Sequence, residues 1–99
     1  MEEKKYYTYI ILTEKNTLYC GYTDDVQKRY LAHLNGKGAK YTRAFKPKEL
    51  VFVKEFSSKS EAMNEETRIK KLPKKEKINL INQQKSDIKN MYLQNLTIQ

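Results

Sequence analysis

Arg29 and His33, four residues apart, are where this sequence begins to suggest chemistry. On a helix that spacing puts both on one face. The face borders an apolar stripe of Val26, Tyr30 and Leu34, so it is turned partly toward a core. A guanidinium held beside a hydrophobic seam suits a phosphate, because its planar donors match two oxygens at once. Two phenols, Tyr9 and Tyr19, lie on adjacent strand-like runs and can reach one neighbourhood. A phenol, with an ordinary pKa of ~10, is a poor base near neutrality unless a cation lowers it. Arg29, a bound metal and Lys28 are the candidates to do so. Taken singly, a strand tyrosine or a lone histidine ordinarily packs with its polar atom satisfied. The shared orientation of Arg29 and His33 is what points beyond packing.

These residues need a scaffold, and the pattern of the chain supplies one. Tyr6 to Leu12 is aromatic and β-branched on both faces, which predicts a strand buried on two sides. A polar turn at Glu14-Lys15-Asn16 leads into a second strand from Thr17 to Tyr22, making a hairpin. Thr23-Asp24-Asp25 offers capping side chains for a helix over about 25–35. Asn35-Gly36-Lys37-Gly38 ends it through left-handed glycine. A basic loop over 36–48 precedes a third strand from Leu50 to Phe56. Ser58-Lys59-Ser60-Glu61 has the form of a capping box for a helix over about 59–72, and Pro73 separates this from a helix over 74–84 with Ile78 and Ile81 inward. Residues 86–97, carrying Ile88, Met91, Tyr92 and Leu96, can form a final amphipathic helix. On the helix after Ser58, Glu65 and Glu66 point about 100° apart. Only one of the two can face a site, and the spacing leaves open which.

Twenty Lys and Arg against twelve Asp and Glu leave a formal net charge of +8. That balance favours a polyanionic partner, with nucleic acid ahead of membrane because no strongly hydrophobic amphipathic face is present. Lys28, Lys37, Lys40, Arg43 and Lys70 are the candidate phosphate contacts. Tyr41 and Phe45, interleaved with the basic loop, either stack on unpaired bases or tuck back on the core. With one cysteine and one histidine, an ordinary zinc site is out of reach. Any metal must be a hard ion such as magnesium, held by carboxylate, water and substrate phosphate. Cys20 has no internal partner, which fits a reducing cytoplasm. No signal-peptide pattern or membrane-length apolar run is found. Gly36-Lys37-Gly38 lacks the spacing of a nucleotide-binding phosphate loop.

Tyr19-Cys20-Gly21, then Arg29 eight residues after the glycine and His33 four later, resembles the second half of the GIY-YIG nuclease signature. Tyr7-Thr8-Tyr9 resembles the first half. Gly36-Lys37-Gly38-Ala39-Lys40-Tyr41-Thr42-Arg43 and Ser60-Glu61-Ala62-Met63-Asn64-Glu65-Glu66 resemble the small, single-domain bacterial branch, and the similarity spans about 6–82. The resemblance implies an α+β fold, a three-stranded antiparallel sheet flanked by helices. It would occupy residues 1–85, with 86–99 a helical extension of the same domain. It also implies a metal-dependent endonuclease acting on DNA, as in DNA repair. Tyr19 would be general base or water-positioning group and Tyr9 its companion. Arg29 would bind the scissile phosphate and His33 support nucleophile or phosphate. Glu66 would hold a single Mg2+ or Mn2+, and Asn79 or Asn82 could supply a late asparagine found in some relatives. The alternative is a nucleic-acid-binding accessory protein that keeps this fold but cleaves little.

Overall fold

Alternation along the first strand decides the architecture. The computed structural model describes residues 4–84 and 91–93. Strand β1 (Tyr6–Thr13) is the middle of a three-stranded antiparallel sheet of order β2-β1-β3, flanked by β2 (Leu18–Thr23) and β3 (Pro47–Phe56). As a central strand it must bury both faces. Tyr9 and Ile11 enter one cluster with Leu50 and Val53, over which helix α1 (Val26–Leu34) lays Val26 and Tyr30. Ile10 enters the opposite cluster with Cys20, Phe52 and Ile69, the last from helix α3 (Lys59–Lys70). The result is an α+β domain of three layers, in which each helical layer covers one face of the sheet.

Local chemistry fixes the helix starts. Asp25 caps α1, its carboxylate accepting from the Lys28 N–H at 3.0 Å. At the head of α3 the Ser58 hydroxyl accepts from the Glu61 N–H at 3.2 Å, while the Glu61 carboxylate accepts from the Ser58 hydroxyl at 3.1 Å, where the expected box has it accept from the Ser58 backbone N–H. Thr8, fully buried on the α3 side, donates to the Ala62 carbonyl at 2.8 Å and ties that helix to the central strand.

The structure departs from the sequence reading at four places. The 36–48 loop contains a short helix, α2 (Lys40–Ala44), and β3 begins at Pro47 rather than Leu50. Of the two glycines that follow α1, Gly36 takes a left-handed φ of 73° and Gly38 serves close approach instead. Along α1 the third buried position is His33, while Leu34 is 37% exposed. Its apolar stripe therefore runs Val26, Tyr30, His33, at intervals of four and three. In helix α4 (Lys74–Gln83), Leu80 and Ile81 pack on the α3-side cluster and Ile78 is 41% exposed. Of the segment 86–99 only Met91, Tyr92 and Leu93 lie within the described residues; Tyr92 meets Tyr7 edge-on at 5.6 Å.

Truncating the two isoleucines separates these environments. Ile69→Ala should cost about 2–5 kcal/mol through the lost burial and the cavity left behind. Ile78→Ala should stay within about 0.5 kcal/mol, as exposed substitutions do. Urea denaturation of both variants measures the difference, and equal losses would contradict the orientation of α4.

Candidate active site

The strand register aims the first phenol. Tyr9 lies opposite Gly21, and a Cβ at position 21 would stand 2.7 Å from the Tyr9 Cζ. Glycine there is what lets the ring lie across the strand pair. Tyr19 is two residues from Gly21 and so falls on the same face. Its ring centroid is 6.4 Å from that of Tyr9. Helix α2 closes over this pair, stacking Tyr41 on Tyr19 at 5.8 Å and 27°. Tyr41 also meets Phe45 at 5.0 Å. These loop aromatics are thus folded onto the site.

Helix α1 brings Arg29 and His33 against the same face. The His33 ring stands edge-on to both phenols, at 5.8 Å from Tyr9 and 5.1 Å from Tyr19. Its Nε2 is 2.8 Å from the Tyr9 Oη and its Nδ1 is 2.6 Å from the Thr42 Oγ1. Thr42 in turn donates to the Ala39 carbonyl at 3.2 Å. Only 1% of His33 is exposed. Burial, followed by the nearby Arg29 charge, pushes its pKa down to about 4, so the imidazole is neutral near pH 7. Burial raises the Tyr9 phenol well above its ordinary value, with a hydrogen bond from Arg29 as the chief opposing influence. Arg29 is itself anchored, Nη2 donating to the Gly38 carbonyl at 2.9 Å.

Glu66 arrives from the other helical layer. Together with Tyr9, Tyr19 and Arg29 it lines a cleft of about 690 Å³. The cleft includes Gly21, Tyr22 and Thr23 of edge strand β2, where both layers have access. The Glu66 carboxylate lies 3.5 Å from Lys70 Nζ. Glu65 is directed elsewhere, accepting two bonds of 2.8 Å from Arg68 and pairing with Lys54 at 3.8 Å. Arg68 holds the Glu65 carboxyl below its usual range. Among the described residues no three His, Cys, Asp or Glu form a metal cluster. A lone hard oxygen donor such as Glu66 fits a magnesium or manganese ion that completes its shell with water and substrate phosphate.

Other expected contacts are spread more widely. Lys28 lines the cleft. Lys37, Lys40 and Arg43 are exposed on the turn before α2 and on α2 itself, while Lys70 is engaged with Glu66. His33 sits behind Tyr9 and not on the cleft wall, so it touches a phenol and not the place for a phosphate. Asn79 and Asn82 are exposed on α4 and do not line the cleft. Sequence reasoning missed Lys4 and Lys59, which do line it, and Thr42. Thr42 falls inside the Gly36–Arg43 run that carries part of the resemblance, but its bond to a side chain nine residues away has no local signature.

A neutral buried histidine has a measurable consequence. The unfolded chain binds a proton at His33 near pH 6.5 and the folded chain only near 4, so the unfolded state binds more protons between those values. Stability should therefore fall as pH drops through that window, with His33 contributing up to ~1.4 kcal/mol per pH unit. His33→Gln should flatten that part of the pH dependence of urea midpoints. Parallel curves for the two proteins would mean that His33 is not buried neutral.

Known proteins resemble this chain over most of its length. The chain matches the GIY-YIG catalytic domain over residues 5–79. It is 47% identical over 85 residues to a UPF0213 protein of Oceanobacillus iheyensis, covering 86% of this chain and 99% of that one. The UPF0213 protein YazA of Bacillus subtilis is 40% identical, with 94% of each chain covered. The solution NMR structure of a UPF0213 protein from Bacillus halodurans superposes with a TM-score of 0.55 at 38% identity, covering 94% of this chain and 99% of that one. With the domain matched over most of its length and relatives of this closeness, the chain belongs to the GIY-YIG family, in its small bacterial UPF0213 branch.

Proposed function

We propose that the chain is a metal-dependent endonuclease hydrolysing phosphodiester bonds of nucleic acid, with DNA the favoured substrate. The observation that carries this reading is the convergence of Tyr9, Tyr19, Arg29 and Glu66, from four different elements, on one cleft. Hydrolysis needs an oriented water, charge neutralisation at phosphorus and help for the leaving oxygen. Arg29, tethered to the Gly38 carbonyl through one amino group, lines the cleft and is the phosphate-binding group. Tyr19 is the base or water-positioning group and Tyr9 its companion, backed by His33. Glu66 would hold the divalent ion, which when bound supplies Lewis-acid stabilisation to the phosphate and leaving oxygen.

The surroundings support a polyanionic substrate. Lys4, Lys28 and Lys59 line the cleft, and Lys37, Lys40 and Arg43 extend the positive surface along the turn and α2. Such contacts track backbone and not base identity. Burial pushes the Cys20 thiol up to about 12, so it serves as a packing residue and not as a nucleophile. The thiol is also compatible with the reducing cytoplasm, which belongs to the same proposal.

Supercoiled plasmid incubated with the full chain and Mg2+ or Mn2+ tests the assignment. Wild type should nick, and Arg29→Ala and Glu66→Gln should each lower the rate by about 10²–10³-fold, as loss of a transition-state contact does. Equal nicking by all three proteins would refute it. Salt-sensitive binding without turnover under either metal would instead establish an accessory nucleic-acid-binding protein of the same fold.

A further inference from the structure

We propose that Thr42 is a positioning residue, whose hydroxyl fixes His33 as the Nδ1–H tautomer and so leaves Nε2 free to accept the Tyr9 hydroxyl proton. The assignment follows from counting protons along a buried chain. Thr42 Oγ1 has one proton, which we assign to the Ala39 carbonyl at 3.2 Å because that oxygen can only accept. In its 2.6 Å contact with His33 Nδ1 the oxygen must therefore accept, so Nδ1 carries the hydrogen. A neutral imidazole has one N–H, which leaves Nε2 with a lone pair. The Tyr9 Oη, 2.8 Å from Nε2, must then be the donor.

The neighbourhood enforces this arrangement. Tyr9, His33 and Thr42 are each no more than 2% exposed, so bulk water does not compete for these bonds. The ionisable groups against the ring are Tyr9 from β1, Tyr19 from β2 and Arg29 from its own helix; α2 contributes the Thr42 hydroxyl. Arg29 disfavours a second proton on the ring, which keeps the neutral form. Gly38 adds a steric constraint, since a Cβ there would lie 2.6 Å from the His33 Cγ. The 38–42 segment thus meets the imidazole at two points and Arg29 at a third.

The catalytic consequence rests on the hydrolase reading; the tautomer does not. In hydrolysis Tyr19 orients the attacking water or takes its proton, and Tyr9 is its companion. With its own proton committed to His33 Nε2, the Tyr9 hydroxyl has only lone pairs left to offer at the cleft, so it acts there as an acceptor. With the opposite tautomer Nε2 would carry hydrogen, and Tyr9 would have no acceptor there.

His33 is the only histidine in the chain, so its two ring nitrogens can be read without ambiguity by long-range 1H–15N NMR on the full protein. Wild type and Thr42→Ser should both show a protonated Nδ1 and a bare Nε2. Thr42→Val, similar in shape but without the acceptor, should shift the ring toward Nε2–H. In plasmid nicking its kcat should fall about 10–100-fold with KM held within about twofold, and Thr42→Ser should recover most of the rate, as a supporting-shell role requires. An Nε2–H ring in wild type would overturn the proposal, as would unchanged ring nitrogens in a folded Thr42→Val protein. The expected tautomers with no cleavage by any protein would uphold the positioning role and refute the hydrolase reading. Thermal unfolding of both variants establishes that they fold, and the wild-type spectrum decides the tautomer even if Thr42→Val does not.

Discussion

The contact between Tyr9 and His33 organises the rest of the molecule. Tyr9 is on the central strand, and its hydroxyl must find a partner because 2% exposure leaves it almost no water. An unpaired buried hydroxyl costs about 1–3 kcal/mol. His33 supplies the partner, which fixes the rotation of α1 about its own axis and turns Leu34 outward. That rotation carries Arg29, one turn earlier, to the cleft. The opposite ring nitrogen then requires its own partner, and Thr42 on α2 provides it. Among the described residues no buried side-chain nitrogen or oxygen is left without a bond. A satisfied polar chain of this kind rigidifies a site as well as stabilising it.

Much of this was legible in the amino-acid sequence, for identifiable reasons. β1 was readable because a central strand needs apolar residues on both faces, and Tyr6 to Leu12 has them. The start of α3 was readable because the Ser58–Glu61 box is local. The grouping of Tyr9 and Tyr19 followed from the hairpin, while Arg29, His33 and Glu66 were identified by family resemblance and helical spacing together. The failures share a different cause. Ile78 and Leu34 were placed inward by periodicity, but which side of an amphipathic helix is buried depends on neighbouring layers, and a polar residue can win the buried position when it has two partners. His33 did so at the expense of Leu34. Short helix α2 was invisible because nothing in five residues outweighs a loop-like composition. Thr42 was missed because its significance exists only once His33 is beneath it. The roles given to the site residues remain part of the proposed function.

The two helical layers contribute different electrostatics. The α1 layer places a permanent cation, Arg29, beside a neutral ring and two phenols, so charge enters that wall through the guanidinium. The α3 layer places a carboxylate, Glu66, across the same opening. Neither layer could make the site alone, since residues separated by the sheet meet only at an exposed strand edge, and β2 is that edge. This explains why a domain with so small a core can still present groups of opposite charge in one cleft.

The Glu66–Lys70 pair follows the same logic. Lys70 is about half exposed, and an ion pair of that kind is worth roughly 0–1 kcal/mol. A divalent ion brings twice the charge and, with a substrate phosphate, several oxygen ligands at once. The lysine is therefore a weak competitor for the carboxylate. If an ion displaced it, its ammonium would remain within one helical turn of Glu66. In the structure the same pair gives the carboxylate a cationic partner one helical turn away. Lys70, expected from sequence to meet nucleic acid directly, is instead paired with Glu66 and is not among the residues that line the cleft.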